Sequence, residues 1–139
     1  MAVFTLLETT SGQQVIDKIG LPIKAAGWYG YGNCVHTISI QISNFTGRIF
    51  IEGTLSNNPN QTTDWFPIQL NGSDYIEYPQ SNVRTNSTYT GDSGVYGFTF
   101  KSNILYIRAR MFRSYFIDPS IPPDQLILLG AVKKIDVCF

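Results

Sequence analysis

The chain contains a single histidine, His36, and two cysteines, Cys34 and Cys138, among its 139 residues. One histidine excludes metal sites built from several histidines and leaves one imidazole for general acid–base chemistry. Cys34-x-His36 supplies only two of the four ligands that a structural zinc site needs, so no metal centre is predicted. Because His36 lies in phase with the isoleucines of an alternating segment, we expect a partly buried structural histidine. We expect both cysteines to be reduced thiols.

The string Gly91-Asp92-Ser93-Gly94 is a second candidate for chemistry, because GDSG surrounds the nucleophilic serine of trypsin-like proteases. His36, Asp64 or Asp74, and Ser93 even follow the chain order of that triad. Glycine, aspartate and serine are also ordinary turn residues, and the string joins a polar segment to a predicted strand. We therefore predict a turn here, in a protein that is not an enzyme and binds no cofactor.

Aromatic residues alternate with glycines in Gly27-Trp28-Tyr29-Gly30-Tyr31-Gly32, whose spacing differs from that of phosphate-binding glycine loops. Its tryptophan and tyrosines, together with Trp65 and Phe66, belong to the residue types that stack on sugar rings. The same side chains supply large buried areas in cores and subunit interfaces. We favour packing or an interface, and glycan binding stays the alternative.

The charges of the chain balance, with 10 basic and 10 acidic residues. This neutrality argues against nucleic acid or an anionic membrane as partner, since phosphates attract a surplus of cations. Charged residues make up only 14% of the chain, and so uncharged a surface favours self-association. The basic cluster of Arg108, Arg110 and Arg113 is accordingly predicted to form ion pairs between subunits.

Alternation of apolar and polar residues is the main structural signal. Val35 to Ile42 places its isoleucines on one face, and Arg48 to Leu55 alternates in the same way. The short segment Ser43–Gly47 between them contains Asn and Gly, which are typical of turns. Two alternating runs joined by such a turn predict an antiparallel hairpin.

Further strands are predicted along the whole chain, with Pro67 restricting one of them to a sheet edge. About ten short strands with one apolar face each are not stable as a single open sheet. We therefore predict one all-β domain over residues 1–139, an antiparallel two-sheet β-sandwich of jelly-roll or immunoglobulin-like type with little or no helix. The further strands are Phe4–Leu7, Gln14–Asp17, Trp65–Leu70, Tyr75–Tyr78, Val95–Phe100, Asn103–Phe112, Gln125–Val132 and Lys134–Phe139.

A family resemblance lies in two segments: Ile40–Leu55 reads IQISNFTGRIFIEGTL, and Asp64–Ile68 reads DWFPI. The alternating strand, FTG turn, IxIEGTL strand, polar loop and WxPI segment resemble a pattern in small virion proteins of tailed bacteriophages of the cyanophage type. Tyr106–Arg110 is similar to the strand of alternating apolar residues and arginines that follows in those proteins. The resemblance covers Val35 to Phe112.

The resemblance implies a non-enzymatic β-sandwich of the virion, made in the host cytoplasm. A capsid decoration or cement protein that stabilises the head by lattice contacts is the first expectation. A neck, tail or baseplate component, or a carbohydrate-binding module for host adsorption, is the alternative. The implied partners are the major capsid protein or other virion proteins, and further copies of the chain. A trimer is favoured because related sandwiches decorate threefold positions.

Attachment is predicted at the termini, the loops and the arginine strand. The apolar segment Ala2–Glu8 is expected to add as a strand to the sheet of a neighbour, so that its deletion leaves the sandwich folded. Asp118–Pro123 carries three prolines, which lower the entropy cost of fixing it at an interface. Ion pairs with a neighbouring copy would set the register of the contact. The interface candidates are Ala2, Val3, Phe4, Trp28, Tyr29, Tyr31, Arg108, Arg110, Pro119, Ile121 and Pro122.

Overall fold

A computed structural model describes residues 2–11, 13, 17–78, 91–113 and 130–139. Within these ranges the chain forms ten β-strands and one short helix, so the predicted all-β class is confirmed. None of the described helical residues forms a segment long and apolar enough to cross a membrane. The elements are β1 (Val3–Leu7), β2 (Asp17–Ile19), β3 (Ile23–Lys24), α1 (Ala26–Tyr29), β4 (Val35–Phe45), β5 (Gly47–Thr54), β6 (Phe66–Pro67), β7 (Ile76–Tyr78), β8 (Asp92–Lys101), β9 (Tyr106–Phe112) and β10 (Ala131–Cys138).

The strands form two antiparallel sheets. Sheet A has the order β1-β10-β4-β8. In sheet B, β9 and β5 lie at the centre, β2 and β3 pair with the outer side of β9, and β6 and β7 pair with the outer side of β5. If β2 with β3 and β6 with β7 are each counted as one strand, consecutive strands lie in different sheets. The one exception is β5 and the strand after it, which both lie in sheet B. This alternation is that of a jelly roll, because an immunoglobulin sandwich pairs more of its consecutive strands within one sheet.

The core lies between the two sheets and follows the predicted alternation. In β4, Ile38, Ile40 and Ile42 are buried together with His36, while the intervening residues are less buried. From sheet B, Ile49 and the other inward residues of β5 and β9 join the same cluster. Full burial of one such side chain stabilises the fold by about 1.5–3 kcal/mol. The apolar residues that alternate along the strands therefore decide which face of each sheet packs against the other.

The predicted hairpin between the two alternating runs is wrong. β4 ends at Phe45 in sheet A, and β5 begins at Gly47 in sheet B, so the chain turns a corner between the sheets. Gly47 has a φ of 152°, and a Cβ there would lie 2.8 Å from the Phe112 carbonyl oxygen. Only glycine fits this close approach. Isoleucines that face one core satisfy the same pattern whether their strands lie side by side or across from each other.

Several boundaries differ from the predicted ones. The two strands predicted near the C-terminus are one continuous strand, β10, within the described residues, and 125–129 lie outside them. Gln14–Asp17 begins outside the described residues, and the strand observed there is β2. Pro67 does lie in an edge strand, β6, as predicted. The short helix α1 was not predicted, because four residues are too few to show a helical period.

Candidate functional site

Four aromatic side chains from three separate segments meet at one end of the sandwich. The rings of Tyr29 and Tyr31 stack with their centroids 5.4 Å apart. Both rings contact Phe139, at centroid distances of 6.1 and 6.3 Å. Phe4 of β1 stacks on Phe139 at 5.4 Å. We call these four residues the aromatic end.

The geometry of the aromatic end follows from the turn after α1. Gly30 ends the helix with a φ of 72°, and its N–H donates to the carbonyls of Ala26 and Gly27. Cys34 also has a positive φ, 54°, just before β4 begins. These two left-handed positions reverse the chain tightly enough for the rings of residues 29 and 31 to stack.

The aromatic end is open to solvent. Tyr29 and Tyr31 are 47% and 48% exposed. Beside them lies a shallow depression of about 500 Å³ lined by Tyr31, Gly32, Asn33 and Phe139. None of these lining side chains and none of the four aromatic residues is charged. The surface therefore offers ring faces, two tyrosine hydroxyls and one amide, which suit a protein interface or a sugar ring.

His36 lies directly beneath this surface and is fully buried. Its ring stacks on Phe100 at 5.0 Å and contacts Phe139 at 5.2 Å. Its Nε2 atom accepts a hydrogen bond from the backbone N–H of Ala26 at 3.2 Å. Burial lowers the pKa of His36, and the backbone carbonyl of Cys34 offsets part of that effect. His36 is thus more deeply buried than predicted, and its hydrogen bond joins α1 to β4.

The GDSG string does not belong to a catalytic triad. Ser93 lies in β8, where its Oγ accepts a hydrogen bond from the Asn44 N–H at 2.8 Å. His36 pairs with Phe100, seven residues further along β8, which is roughly 23 Å at the strand rise of about 3.3 Å per residue. Proton transfer between the two side chains is impossible over this distance. The predicted turn is also wrong, because Asp92 to Gly94 begin a strand.

The structure does not bring all of the aromatic residues predicted as a possible sugar platform together. Tyr29 and Tyr31 belong to the aromatic end, whereas Trp28 and Trp65 contact side chains of β9. Trp28 lies 5.5 Å from Tyr106, with the Lys24 ammonium 4.6 Å from its ring. Phe66 lies partly exposed in the edge strand β6.

The arginines of β9 pair within the chain, where ion pairs with a neighbouring copy were predicted, and for the buried Arg108 that prediction is wrong. Arg108 Nε donates to Glu52 Oε1 at 2.8 Å and Nη1 donates to the Gln61 carbonyl at 2.9 Å. Trp65 covers its guanidinium, with Cζ 4.3 Å from the ring centroid. Arg110 Nε donates to Asp17 Oδ1 at 2.9 Å. Arg108 is buried, so it cannot serve a surface contact without breaking this arrangement.

The N-terminal segment is also already in use. β1 pairs with β10 of its own chain, and Ala2 and Phe139 exchange two backbone hydrogen bonds of 3.1 and 3.2 Å. Leu6 and Leu7 are buried in the core. Ala2 and Val3 remain exposed, and Phe4 packs into the aromatic end. The expectation that this segment is free to join a neighbour's sheet is therefore wrong, because Ala2 to Leu7 pair with the C-terminal strand of their own chain.

One buried cation was missed by sequence reasoning. Arg113 is fully buried, with Nη1 donating to the Gln13 carbonyl at 2.8 Å and Nη2 to the Gly130 carbonyl at 2.6 Å. Burial lowers the pKa of its guanidinium. The side chain ties the end of β9 to the start of β10 and to the N-terminal region. No local signal separates it from a surface arginine, because its acceptors are backbone carbonyls from distant segments.

Some predicted residues lie outside the described ranges. Pro119, Ile121 and Pro122 belong to the segment 114–129, and most of the polar segment that precedes the GDSG string lies in 79–90. Cys34 and Cys138 are both free and half-buried. In the part of the chain that the structure describes, no group of three or more His, Cys, Asp or Glu side chains could hold a metal ion.

Comparison of the chain with protein-family models, with curated proteins and with solved structures found no match in any of the three.

Proposed function

We propose that the chain is a non-enzymatic structural protein of a tailed-phage virion, and that within the virion it is a capsid decoration or cement protein. The observation that carries this proposal is the aromatic end, an exposed contact surface without charged side chains. Protein interfaces are enriched in tyrosine and phenylalanine and depleted of charge at their centres. The resemblance of Ile40–Leu55 to virion proteins supports a phage particle as the binding partner of this surface.

The aromatic end is already ordered before any partner binds. Ala25 and Ala26 at the start of α1 are fully buried, and the hydrogen bond to His36 fixes the helix on β4. Tyr29 and Tyr31 are further held by stacking on each other and on Phe139. A preordered surface loses little entropy on binding. Many such contacts on a repeating capsid lattice would add to a large avidity, so one contact need not be strong.

The proposal is tested by locating the chain in particles of the phage that encodes it, by electron microscopy of the intact virion. We expect copies over the head surface, in contact with the major capsid protein. In Tyr29→Ser/Tyr31→Ser, head occupancy should fall by about tenfold or more, since central interface tyrosines each contribute about 1–2 kcal/mol. Leu21→Ser/Leu55→Ser removes two exposed apolar side chains elsewhere and should keep occupancy. Copies only at the neck, tail or baseplate would reject the decoration role, and absence from particles would reject the virion role.

A carbohydrate-binding module for host adsorption is the second candidate, favoured by one specific observation. The exposed ring of Tyr31 lies beside Asn33 in the shallow depression, and an aromatic ring with a nearby amide is a common arrangement for sugar recognition. A glycan array with the wild type, Tyr31→Ala and Trp28→Ala separates the two functions. Binding that is lost in Tyr31→Ala and kept in Trp28→Ala would favour the carbohydrate-binding role.

A further inference from the structure

β8 forms an unusually long edge of sheet A. It pairs with β4 on one side, and no strand among the described residues pairs with its other side. It has ten residues, whereas β1 has five and the edge strands of sheet B have two or three. A long edge strand presents a row of backbone donors and acceptors to any strand that can align with it.

The other edges carry features that normally prevent such pairing, and β8 lacks them from Gly94 to Lys101; its one register shift against β4 lies at the start of the strand, between Asp92 and Gly94. β6 contains Pro67, and the register of β1 shifts between Thr5 and Leu7. In β8, no proline and no charged residue lies between Asp92 and Lys101. Its pairing with β4 is regular from Gly94 to Lys101. Short length, a proline or a charge in the middle of the strand normally keeps an edge strand from pairing with another chain. β8 has none of these three features.

The side chains of β8 are also only partly covered. Tyr96, Phe98 and Phe100 pack against the core but remain half-buried. On the opposite face Val95 is 65% exposed. A strand laid beside β8 would cover the open flank of these aromatic rings as well as its backbone groups.

We propose that β8 pairs in antiparallel fashion with β8 of a second copy, about a two-fold axis at Gly97, so that two copies of sheet A form one eight-stranded sheet. The antiparallel arrangement brings Asp92 of one chain and Lys101 of the other to the same end of the pair. A parallel arrangement would place like charges together at both ends. The net charge of zero means that no long-range repulsion opposes the approach of two copies.

The pleat of the strand selects this register. A two-fold axis perpendicular to the sheet keeps both cores on the same side, so residues that oppose each other must have numbers of equal parity. Two such registers overlap almost the whole strand. The one centred on Tyr96 places Asp92 opposite Phe100 of the second copy, a charge against an aromatic ring. The one centred on Gly97 instead places Tyr96 opposite Phe98 and Val95 opposite Thr99, which are favourable cross-strand pairs.

This pairing deepens the assembly part of the proposed function and rests on it only for the expectation of a homo-oligomer. It makes a dimer the smallest unit, where the resemblance implied a trimer. Purified protein tests it without virions, so the pairing and the virion role can fail separately.

Cross-linking tests the position of the axis. A Cβ added at Gly97 meets nothing nearer than the Ile38 carbonyl oxygen at 3.9 Å, so Gly97→Cys fits the fold and places two new thiols opposite each other. In Thr99→Cys the thiols of the two copies are four residues out of register, roughly 13 Å apart. Under mild oxidation we expect a covalent dimer for Gly97→Cys and none for Thr99→Cys. Both variants keep Cys34 and Cys138, so Thr99→Cys controls for cross-links that form through these two native thiols. Equal cross-linking of both, or of neither, would overturn the proposal.

A charge exchange across the pair tests the register in solution by sedimentation velocity. Val95→Lys/Thr99→Lys opposes like charges at two symmetric positions and should raise the dimer dissociation constant about tenfold or more. Val95→Glu/Thr99→Lys opposes unlike charges and should stay within about threefold of the wild type. Leu21→Lys/Leu55→Lys adds the same charge at exposed positions away from β8 and should also dimerise normally.

Two results would overturn the pairing. The first is a wild type that stays monomeric at the highest attainable concentration in sedimentation velocity. Hydrogen exchange gives a second result: the outer amides of β8 should be protected only in the dimer. If they are protected equally at every concentration, another segment of the same chain covers the edge and the proposal is wrong.

Discussion

Two arginines on one strand should differ widely in their contribution to stability. Arg108 and Arg110 are two residues apart on the same face of β9. The side chains of Arg108 and its partner Glu52 are 6% and 11% exposed. Those of Arg110 and its partner Asp17 are 32% and 33% exposed. Arg108→Met and Arg110→Met are therefore matched substitutions that differ in burial.

The expected magnitudes follow from these exposures. Removing Arg108 leaves the buried Glu52 carboxylate unpaired, which costs about 3–5 kcal/mol. An exposed pair such as Arg110–Asp17 contributes about 0–1 kcal/mol. With an unfolding entropy of about 2.1 cal/mol/K per residue, 139 residues give about 290 cal/mol/K, so 1 kcal/mol shifts Tm by about 3.4 °C. Arg108→Met should lower Tm by roughly 10–17 °C, and Arg110→Met by less than about 4 °C.

Thermal and urea unfolding, followed by circular dichroism and tryptophan fluorescence, measure these shifts. The double variant Glu52→Met/Arg108→Met removes both charges and should recover most of the loss, since no buried charge remains unpaired. It still lacks the hydrogen bond to the Gln61 carbonyl and the contact with Trp65. Equal shifts for Arg108→Met and Arg110→Met would contradict the expected difference between the buried and the exposed ion pair. A double variant as unstable as Arg108→Met would contradict the expected recovery.

Two further predictions concern pH and the N-terminal strand. Burial holds the pKa of His36 below its ordinary 6.5, so below pH 6.5 the unfolded chain binds a proton that the folded chain does not. The free energy of unfolding should therefore fall by up to about 1.4 kcal/mol per pH unit as the pH decreases, until the pKa of the folded state is reached. Urea midpoints measured against pH should show this fall in the wild type and lack it in His36→Gln. Parallel plots of midpoint against pH for the two proteins would contradict the prediction. Deleting residues 2–8 removes β1 and the buried Leu6 and Leu7, at about 2–5 kcal/mol for each leucine. The truncated chain should be unfolded by circular dichroism, and a cooperative melt near the wild-type Tm would disprove this.

The strands and their buried faces could be predicted from the sequence because a pleated strand alternates its side chains locally. The isoleucines of β4 and the aromatic residues of β8 point inward as their alternation predicts. The burial of His36 follows from the same phase. Which strands lie side by side is not a local property. Asn44 to Gly47 contains the residues of a hairpin turn, and only the packing of the other strands makes it a corner between sheets.

The surfaces depend on contacts between distant segments. Phe4, Tyr29 and Phe139 become neighbours only because β1 pairs with β10 and α1 packs over the start of β4. Among the described residues, β8 has no partner on its outer side because the topology places that strand last in sheet A.

The clearest division between sequence and tertiary structure is in β9. The local pattern of residues predicts an alternating strand with Arg108 and Arg110 on the face opposite the core residues. It does not distinguish them, because both have apolar neighbours and the same local pattern. Only the fold brings Glu52 and Trp65 to Arg108 and Asp17 to Arg110. The free energy of an ion pair depends on how far its surroundings exclude water, and that exclusion is set by segments remote in the chain.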